Sequence, residues 1–224
     1  RVLTNAEELK QALDYPWDKW AVFLHPAQAD LVGRSFSGPT RVSGSAGTGK
    51  TIVALHRAVH LASINPGSTV LLTTFSKALA NSLRIKLASL VGSEPSISSR
   101  INVKAISAVG YDLYSERFGQ PQIAAPAMIR TLIIEAASEV EGHRFSPHFL
   151  VGEWEDVVDA WQLRTWDEYR DVSRLGRKTR IGGKQREALW AIFDRVRSGL
   201  QERRIVTWSD VFGRLTESLT AKEA

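Results

Sequence analysis

Cysteine is absent from all 224 residues, which excludes disulfide staples and thiolate metal sites alike. Long apolar runs are absent too: none approaches the roughly 20 residues needed to cross a bilayer. The N-terminus also lacks the basic-then-apolar pattern of an export signal. A reducing cytoplasm is therefore the expected setting, with no membrane anchor. Internal repeats and low-complexity tracts are missing as well. Arg1 stands where an initiator Met would, so the chain is expected to be a piece of a longer one. What is present is an ordinary globular composition, 43% hydrophobic and 24% charged, sufficient for one large domain or one domain with a sizeable insertion. The formal charge of +5 favours a polyanionic partner without requiring one.

The order of patterns along the chain is that of alternating strands and helices. Residues 4–22 read as a short amphipathic helix followed by an aromatic turn, Tyr15-Pro16-Trp17. Arg41 and Val42 read as the end of a strand. After Lys50, the apolar residues Ile52, Leu55, Val59 and Ala62 recur at helical spacing, until Asn65-Pro66-Gly67 stops the helix. Thr69–Phe75 is a near-continuous β-branched and apolar run, suited to a strand buried on both faces of a parallel sheet. A second helix comes next, with Leu79, Leu83, Leu87 and Leu90 as its apolar stripe and Lys77, Arg84 and Lys86 mostly off it. Gly92 to Ser99 reads as a polar loop, Ile101 and Val103 as a short strand, and Val109 to Tyr114 as the start of a helix. Beyond Gly119-Gln120-Pro121 and as far as about Arg204, helical periods dominate and no strand is expected. The clearest helix there is Gln185–Gln201, lined by Leu189, Phe193, Val196 and Leu200. Thr207-x-x-Asp210 is a capping-box start for a last helix carrying Val211, Leu215 and Leu219.

The chemistry concentrates in Gly44, Ser45, Ala46, Gly47, Thr48, Gly49, Lys50 and Thr51, which satisfy the P-loop pattern GxxxxGK[ST]. Glycines let the backbone take positive φ, so that successive N–H groups and a helix N-terminus face an anion. Lys50 suits the β and γ phosphate oxygens of ATP, and the Thr51 hydroxyl suits Mg2+. A random chain of this length matches the pattern in roughly one case per hundred, and here the match falls where a strand should give way to a helix. The expected fold class is α/β: a P-loop NTPase parallel sheet flanked by helices, with an inserted all-helical subdomain.

With these motifs in order, the chain resembles the N-terminal part of a superfamily 1 DNA helicase of the UvrD/Rep/PcrA type. LHPAQADLV resembles that family's segment with a Gln just over twenty residues before the P-loop Lys, and the resemblance implies that Gln28 reads the adenine edge. GSAGTGKT is motif I. LLTTFSKALANSLRIKL resembles motif Ia, which implies contact of Thr74, Phe75, Ser76 and Lys77 with single-stranded DNA; on composition alone Phe75 suits a core and a base-stacking platform equally. NVKAISAVGYDLY resembles motif Ib loosely, with Ala105-Ile106-Ser107 where the family usually has T-F-H. The layout implied is a motor domain 1A over 1–121, a helical 1B-like subdomain over 122–204 and a return to 1A over 205–224. Within the helical part, Arg174 to Arg186 is a basic run without an acid. Its Arg177, Lys178 and Arg180 suit either DNA phosphates or a solvated face. Trp154, Trp161, Trp166 and Trp190 are expected in the core rather than as base platforms.

Hydrolysis by a P-loop motor needs one carboxylate on Mg2+ and another to orient water, usually an Asp-Glu pair closing an apolar strand. The sole Asp-Glu pair, Asp167-Glu168, has a polar, helix-like setting and reads as surface. The acids are therefore expected beyond Ala224, within roughly 15 to 30 residues, and this chain alone should bind nucleotide without turning it over. The implied whole is an ATP-dependent DNA helicase or translocase acting on single strands or a single/double-strand junction. A nucleotide-dependent nucleic-acid-binding or regulatory module without hydrolysis, or an ATPase acting on RNA, stands as the alternative.

Overall fold

Two β-branched, apolar runs pair in parallel: Val70–Thr74 (β1) and Ile101–Ala105 (β2), with Val70 opposite Ile101 and Thr74 opposite Ala105. The computed structural model describes residues 24–92, 94–173 and 181–221. These fall into two units that divide at Ala108/Val109. In the first unit the order is Pro26–Gly33 (α1), Lys50–Ile64 (α2), β1, Lys77–Val91 (α3), Pro95–Ser98 (α4) and β2. Leu55, Ala58 and Ala62 of α2, together with Ala80, Leu83 and Leu87 of α3, enclose Ile101 and Val103 in one core. Arg100 closes the C-terminal end of α2 by donating to the carbonyls of Ala62 and Asn65, where the helix dipole also favours a cation.

Several expectations need correction. Arg41 and Val42 form no strand, and Val42 is exposed. A strand exists only as a ladder partner, and this two-residue stretch between Thr40 and Ser43 pairs with none of the described strands. The sheet here is accordingly small, β1 with β2 alone among the described residues. β1 is not covered on both faces: Leu71 and Thr73 are exposed while Val70, Leu72 and Thr74 are half-buried. The stripe of α3 is rotated from the leucine line, because Ala80 and Val91 face the core while Leu79 is exposed. Within Gly92 to Ser99, Pro95 opens a single helical turn, α4. The reading of a helix at residues 4–22 lies outside the described residues.

In the second unit, Ile106–Phe118 (α5, which begins just before the division) leads into Gln122–Ile123 (β3), Pro126–Ser138 (α6), Pro147–Glu153 (α7), a π-helical turn at Trp154–Asp159, Trp166–Asp171 (α8), Gly183–Glu202 (α9), Ile205–Val206 (β4) and Trp208–Thr220 (α10). The sequence predicts no strand before Arg204, yet β3 lies there and forms a two-residue parallel ladder with β4. The chain thus enters and leaves the helical body side by side. Leu189, Ile192, Phe193 and Val196 of α9 are completely buried. At about 1.5 to 3 kcal/mol per side chain, their burial far outweighs any single polar contact in this unit. Trp154 lies in that core, its ring 5.9 Å from Phe193, and Trp166 and Trp190 pack against it. Trp161 does not: it is 69% exposed. It sits in the turn where Gln162 takes φ 52.

α10 meets α5 closely, with the Phe212 ring lying over Gly110 and Val211 and Leu215 buried with Tyr114; Leu219, expected on this face, is exposed. A different face of α10 meets the turn 159–164 through Ser209, Gly213 and Glu217, spaced four residues apart on one side of the helix. Ser209 Oγ donates to Asp159 Oδ2 at 2.9 Å, the Gln162 amide lies over Gly213, and Arg164 is 4.0 Å from Glu217. The predicted capping box forms: Thr207 Oγ1 accepts from Asp210 N at 3.1 Å, and Asp210 Oδ2 accepts from Thr207 N at 3.0 Å.

Thr207 Oγ1 also lies 2.7 Å from Asp159 Oδ1 and 3.1 Å from Asp210 Oδ2. One hydroxyl proton cannot serve two carboxylate oxygens at once, so Thr207 satisfies Asp159 and Asp210 only in turn. Burial pushes the Asp159 carboxyl above its ordinary value; the Thr207 and Ser209 hydroxyls hold it down, Asp210 raises it, and Arg197 lowers it. A raised carboxyl contributes stability that is fully present below its unfolded value and lost as pH rises through the folded one. Asp159→Asn should therefore be at least as stable as the parent at pH 7, since its amide donates to Thr207 and accepts from Ser209. Its advantage in Tm should shrink as pH falls toward the ordinary Asp range, whereas Asp159→Ala should lose about 1–3 kcal/mol at low pH and less as pH rises. Thermal unfolding across pH 4 to 8 checks both.

Candidate nucleotide-binding site

The glycine-rich loop is built by backbone geometry first. Gly47 and Gly49 take φ 79 and φ 84, the left-handed region open to glycine. Gly49 is the N-cap of α2, so the free N–H groups of that helix open directly behind the loop. At Gly44 a Cβ would stand 2.8 Å from Thr48 Oγ1. That hydroxyl donates to Ser45 O at 2.9 Å and closes the turn. Lys50 reaches back across the loop, its ammonium donating to the carbonyls of Gly44 at 2.9 Å and Ser45 at 2.7 Å. Ser45 and Ala46 are exposed, and Thr51 is exposed in the first turn of α2.

Gln28, twenty-two residues before Lys50, joins this loop. Its Nε2 donates to Thr48 O at 2.8 Å, and its Oε1 accepts a long bond from His25 N at 3.4 Å. The α1 helix that carries Gln28 is held on α2 by Arg57, which donates to Val32 O and places its guanidinium 5.3 Å from the Phe36 ring centre. Sequence reading missed Arg57 and Phe36; the only signal was a basic residue set among the apolar residues Leu55, Ala58 and Val59 of α2.

Motif Ia forms the strand-to-helix step expected of it. Thr74 ends β1, Ser76 caps α3 by accepting from Leu79 N at 3.1 Å, and Lys77 is the first helical residue. Phe75, which suited core and platform equally, is 94% exposed. Because β1 and β2 run parallel, Thr74 stands opposite Ala105, and Phe75 and Ile106 leave the sheet at the same carboxyl edge. The short reversal Asn65–Thr69 joins α2 to β1. Arg177, Lys178 and Arg180 lie outside the described residues.

The residues fit a nucleoside triphosphate with Mg2+: glycines too tight or too strained for a side chain, an exposed helix N-terminus, a lysine within the loop and a hydroxyl at its first turn. The Asp-Glu pair offers no rival centre. Asp167 and Glu168 lie in the first turn of α8, where Glu168 accepts from the backbone N–H of Arg164 at 2.6 Å and Thr165 at 2.9 Å. Those bonds hold its carboxyl below the ordinary carboxylate range, so it acts as a helix cap. Among the described residues no group of His, Asp or Glu side chains is arranged to hold a metal ion, and no helix is long and apolar enough to cross a membrane.

The class is set by the architecture, an α/β unit whose glycine-rich loop opens a helix, followed in sequence by a largely helical unit. The chain belongs to the UvrD/REP helicase N-terminal domain family, whose model spans residues 24–224. It is a family of superfamily 1 helicases, ATP-binding and DNA-binding hydrolases. No individual curated protein matches the chain.

The contact of Gln28 with Gly49 yields a discriminating test. Gly47→Ala meets no atom and carries only the cost of a left-handed residue, about 1–2 kcal/mol. Gly49→Ala carries that cost too and sets a Cβ 3.2 Å from Gln28 Nε2. Gly49→Ala should therefore lose more stability than Gly47→Ala. Adding Gln28→Ala should recover that excess but not the backbone cost, in a double-mutant cycle read by thermal unfolding.

Proposed function

We propose that this chain is the nucleotide-binding part of an ATP-dependent DNA helicase or translocase. Residues up to 121 and from 205 serve as motor domain 1A, and 122–204 as a 1B-like subdomain. The observation that carries this reading is the glycine-rich loop at the N-terminus of α2, joined by Gln28 from one side and braced by Lys50 from within. Lys50 then neutralises β and γ phosphate oxygens, Thr51 holds Mg2+ through its hydroxyl, and Gln28 reads the adenine edge. ATP with Mg2+ supplies a cleavable phosphoanhydride. The protein's part in this chain is to bind and orient, because its one Asp-Glu pair is committed to capping a helix. Single-stranded DNA runs over Thr74, Phe75, Ser76 and Lys77, where the exposed ring offers a face for stacking. Arg177, Lys178 and Arg180 add phosphate contacts, including those of a single/double-strand junction. A reducing cytoplasm suits a chain without cysteine. The alternative, a module that binds nucleotide and nucleic acid without hydrolysis, differs in having no DNA-stimulated turnover in a longer form of the protein.

Mg-ATP or Mg-ADP at about 100 times Kd should stabilise the chain by about 2.7 kcal/mol, and Lys50→Ala should abolish this. Steady ATP turnover by the purified chain would contradict the assignment of its acids. For DNA, replacing Arg177, Lys178 and Arg180 together by Ala should weaken binding to all sequences alike. The log–log dependence of affinity on salt should flatten by about 2 for a single strand. Unchanged affinity and slope would return this run to a solvated face.

A further inference from the structure

The second unit contains a cleft of about 550 Å3 that the glycine-rich loop does not use. Four arginines from four different segments line it: Arg164 from the turn before α8, Arg197 from α9, Arg204 from the link to β4, and Arg214 from α10. Three carboxylates face them: Asp159, Asp194 and Asp210. Two of these are already engaged, Asp159 by the hydroxyls of Thr207 and Ser209, and Asp210 by the Thr207 cap. The guanidiniums are less fully engaged. Arg197 donates to Leu163 O but leaves its Nε buried without a partner. Arg214 donates to the neutral Tyr114 hydroxyl at 2.9 Å, and Arg164 stands 4.0 Å from Glu217 with both side chains exposed.

Arg204 is the telling residue. It succeeds the C-cap of α9, donates its N–H to Gln201 O at 2.9 Å and takes φ 54. This is the left-handed position after a helix that glycine normally fills, and any L side chain is strained there. Among the described residues its guanidinium has no hydrogen-bond or ion-pair partner. The left-handed backbone here sets an exposed guanidinium, free of partners among the described residues, at a cleft that three further arginines line.

We infer that this cleft is a second phosphate-binding site, taking a nucleotide-sized ligand whose phosphate oxygens are forked by Arg204, Arg214 and Arg164. Planar guanidiniums match phosphate geometry in pairs. The same cleft carries what a nucleoside needs: the ring of Phe118, 46% exposed and 4.9 Å from the buried Tyr114 ring behind it, with Gln120 and Gln201 among the lining residues. The ligand chemistry is therefore that of a nucleoside phosphate, either as a unit of a single strand or as a free nucleotide. The inference does not depend on nucleotide binding at the glycine-rich loop.

The test uses the full 224-residue chain carrying Lys50→Ala, to silence the loop, without added Mg2+. Calorimetric titrations with a dT tetranucleotide and with ADP are compared in that background and after adding Arg204→Gly or Arg214→Gln. Binding of at least one probe is expected, with a loss of about tenfold or more in both variants, as for removal of a charge-assisted hydrogen bond. Arg204→Gly should also hold or raise Tm, since glycine relieves the left-handed strain. Loss of affinity without loss of Tm is a signature that a purely structural arginine does not give. Binding of the tetranucleotide alone that both variants weaken assigns the site to a strand, and binding of ADP that both weaken assigns it to free nucleotides. Failure of both probes to bind, or undiminished affinity in either variant, overturns the proposal.

Discussion

The parallel register of β1 with β2 is the constraint on which the first unit depends. Parallel strands require every connection to return across the sheet, so both strands release their chains at one edge. Thr74 and Ala105 are register partners there, and each strand gives way directly to a helix start. The exposed Phe75 leaves the sheet at this edge, next to the end of β1. The apolar core contributed by α2, α3 and β2 makes this arrangement rigid, and Arg57 fixes α1 on it so that Gln28 meets Thr48.

The second unit solves a different problem. Its helical body is held by apolar burial around α9, and Ile123, Ile205 and Val206 carry apolar packing into the paired strands, but the contact between the turn 159–164 and α10 is polar. Two two-residue strands lie side by side, and the turn 159–164 is laid along one face of α10 through a serine, a glycine and a glutamate. Small and polar residues at that seam allow close approach with little apolar burial. Two residues, Gln162 and Arg204, hold left-handed backbones there. Strain of that kind survives only where the surroundings over-determine it. Here those surroundings are the buried α9 on one side and the α5–α10 pair on the other.

Much was legible without a structure because it depends on local spacing. The helical period of Leu189, Phe193, Val196 and Leu200 buries those residues as read. Thr207-x-x-Asp210 caps a helix because both halves of the box lie within one turn. The P-loop pattern falls at a helix N-terminus because glycine and lysine spacing there reflects backbone chemistry. The misreadings are non-local. Arg41 and Val42 have strand-forming character in part, but a strand needs a partner, and spacing says nothing about partners. Leu79 and Ala80 are neighbours, and which of them faces the core depends on how α3 is rolled against β2.

The sequence by itself determined the glycine-rich turn at a helix N-terminus, much of the alternation of strands and helices in the first unit, and the absence of thiol chemistry and of long apolar runs, since each depends on residue type within a few positions. Only the tertiary structure decided which faces are covered and which charges are left over. Gln28 and Thr48 are twenty residues apart, Asp159 and Thr207 forty-eight, and the arginines of the cleft come from four segments. Packing brings them together, and the free energy of burial that drives it is a property of the whole core rather than of any short stretch.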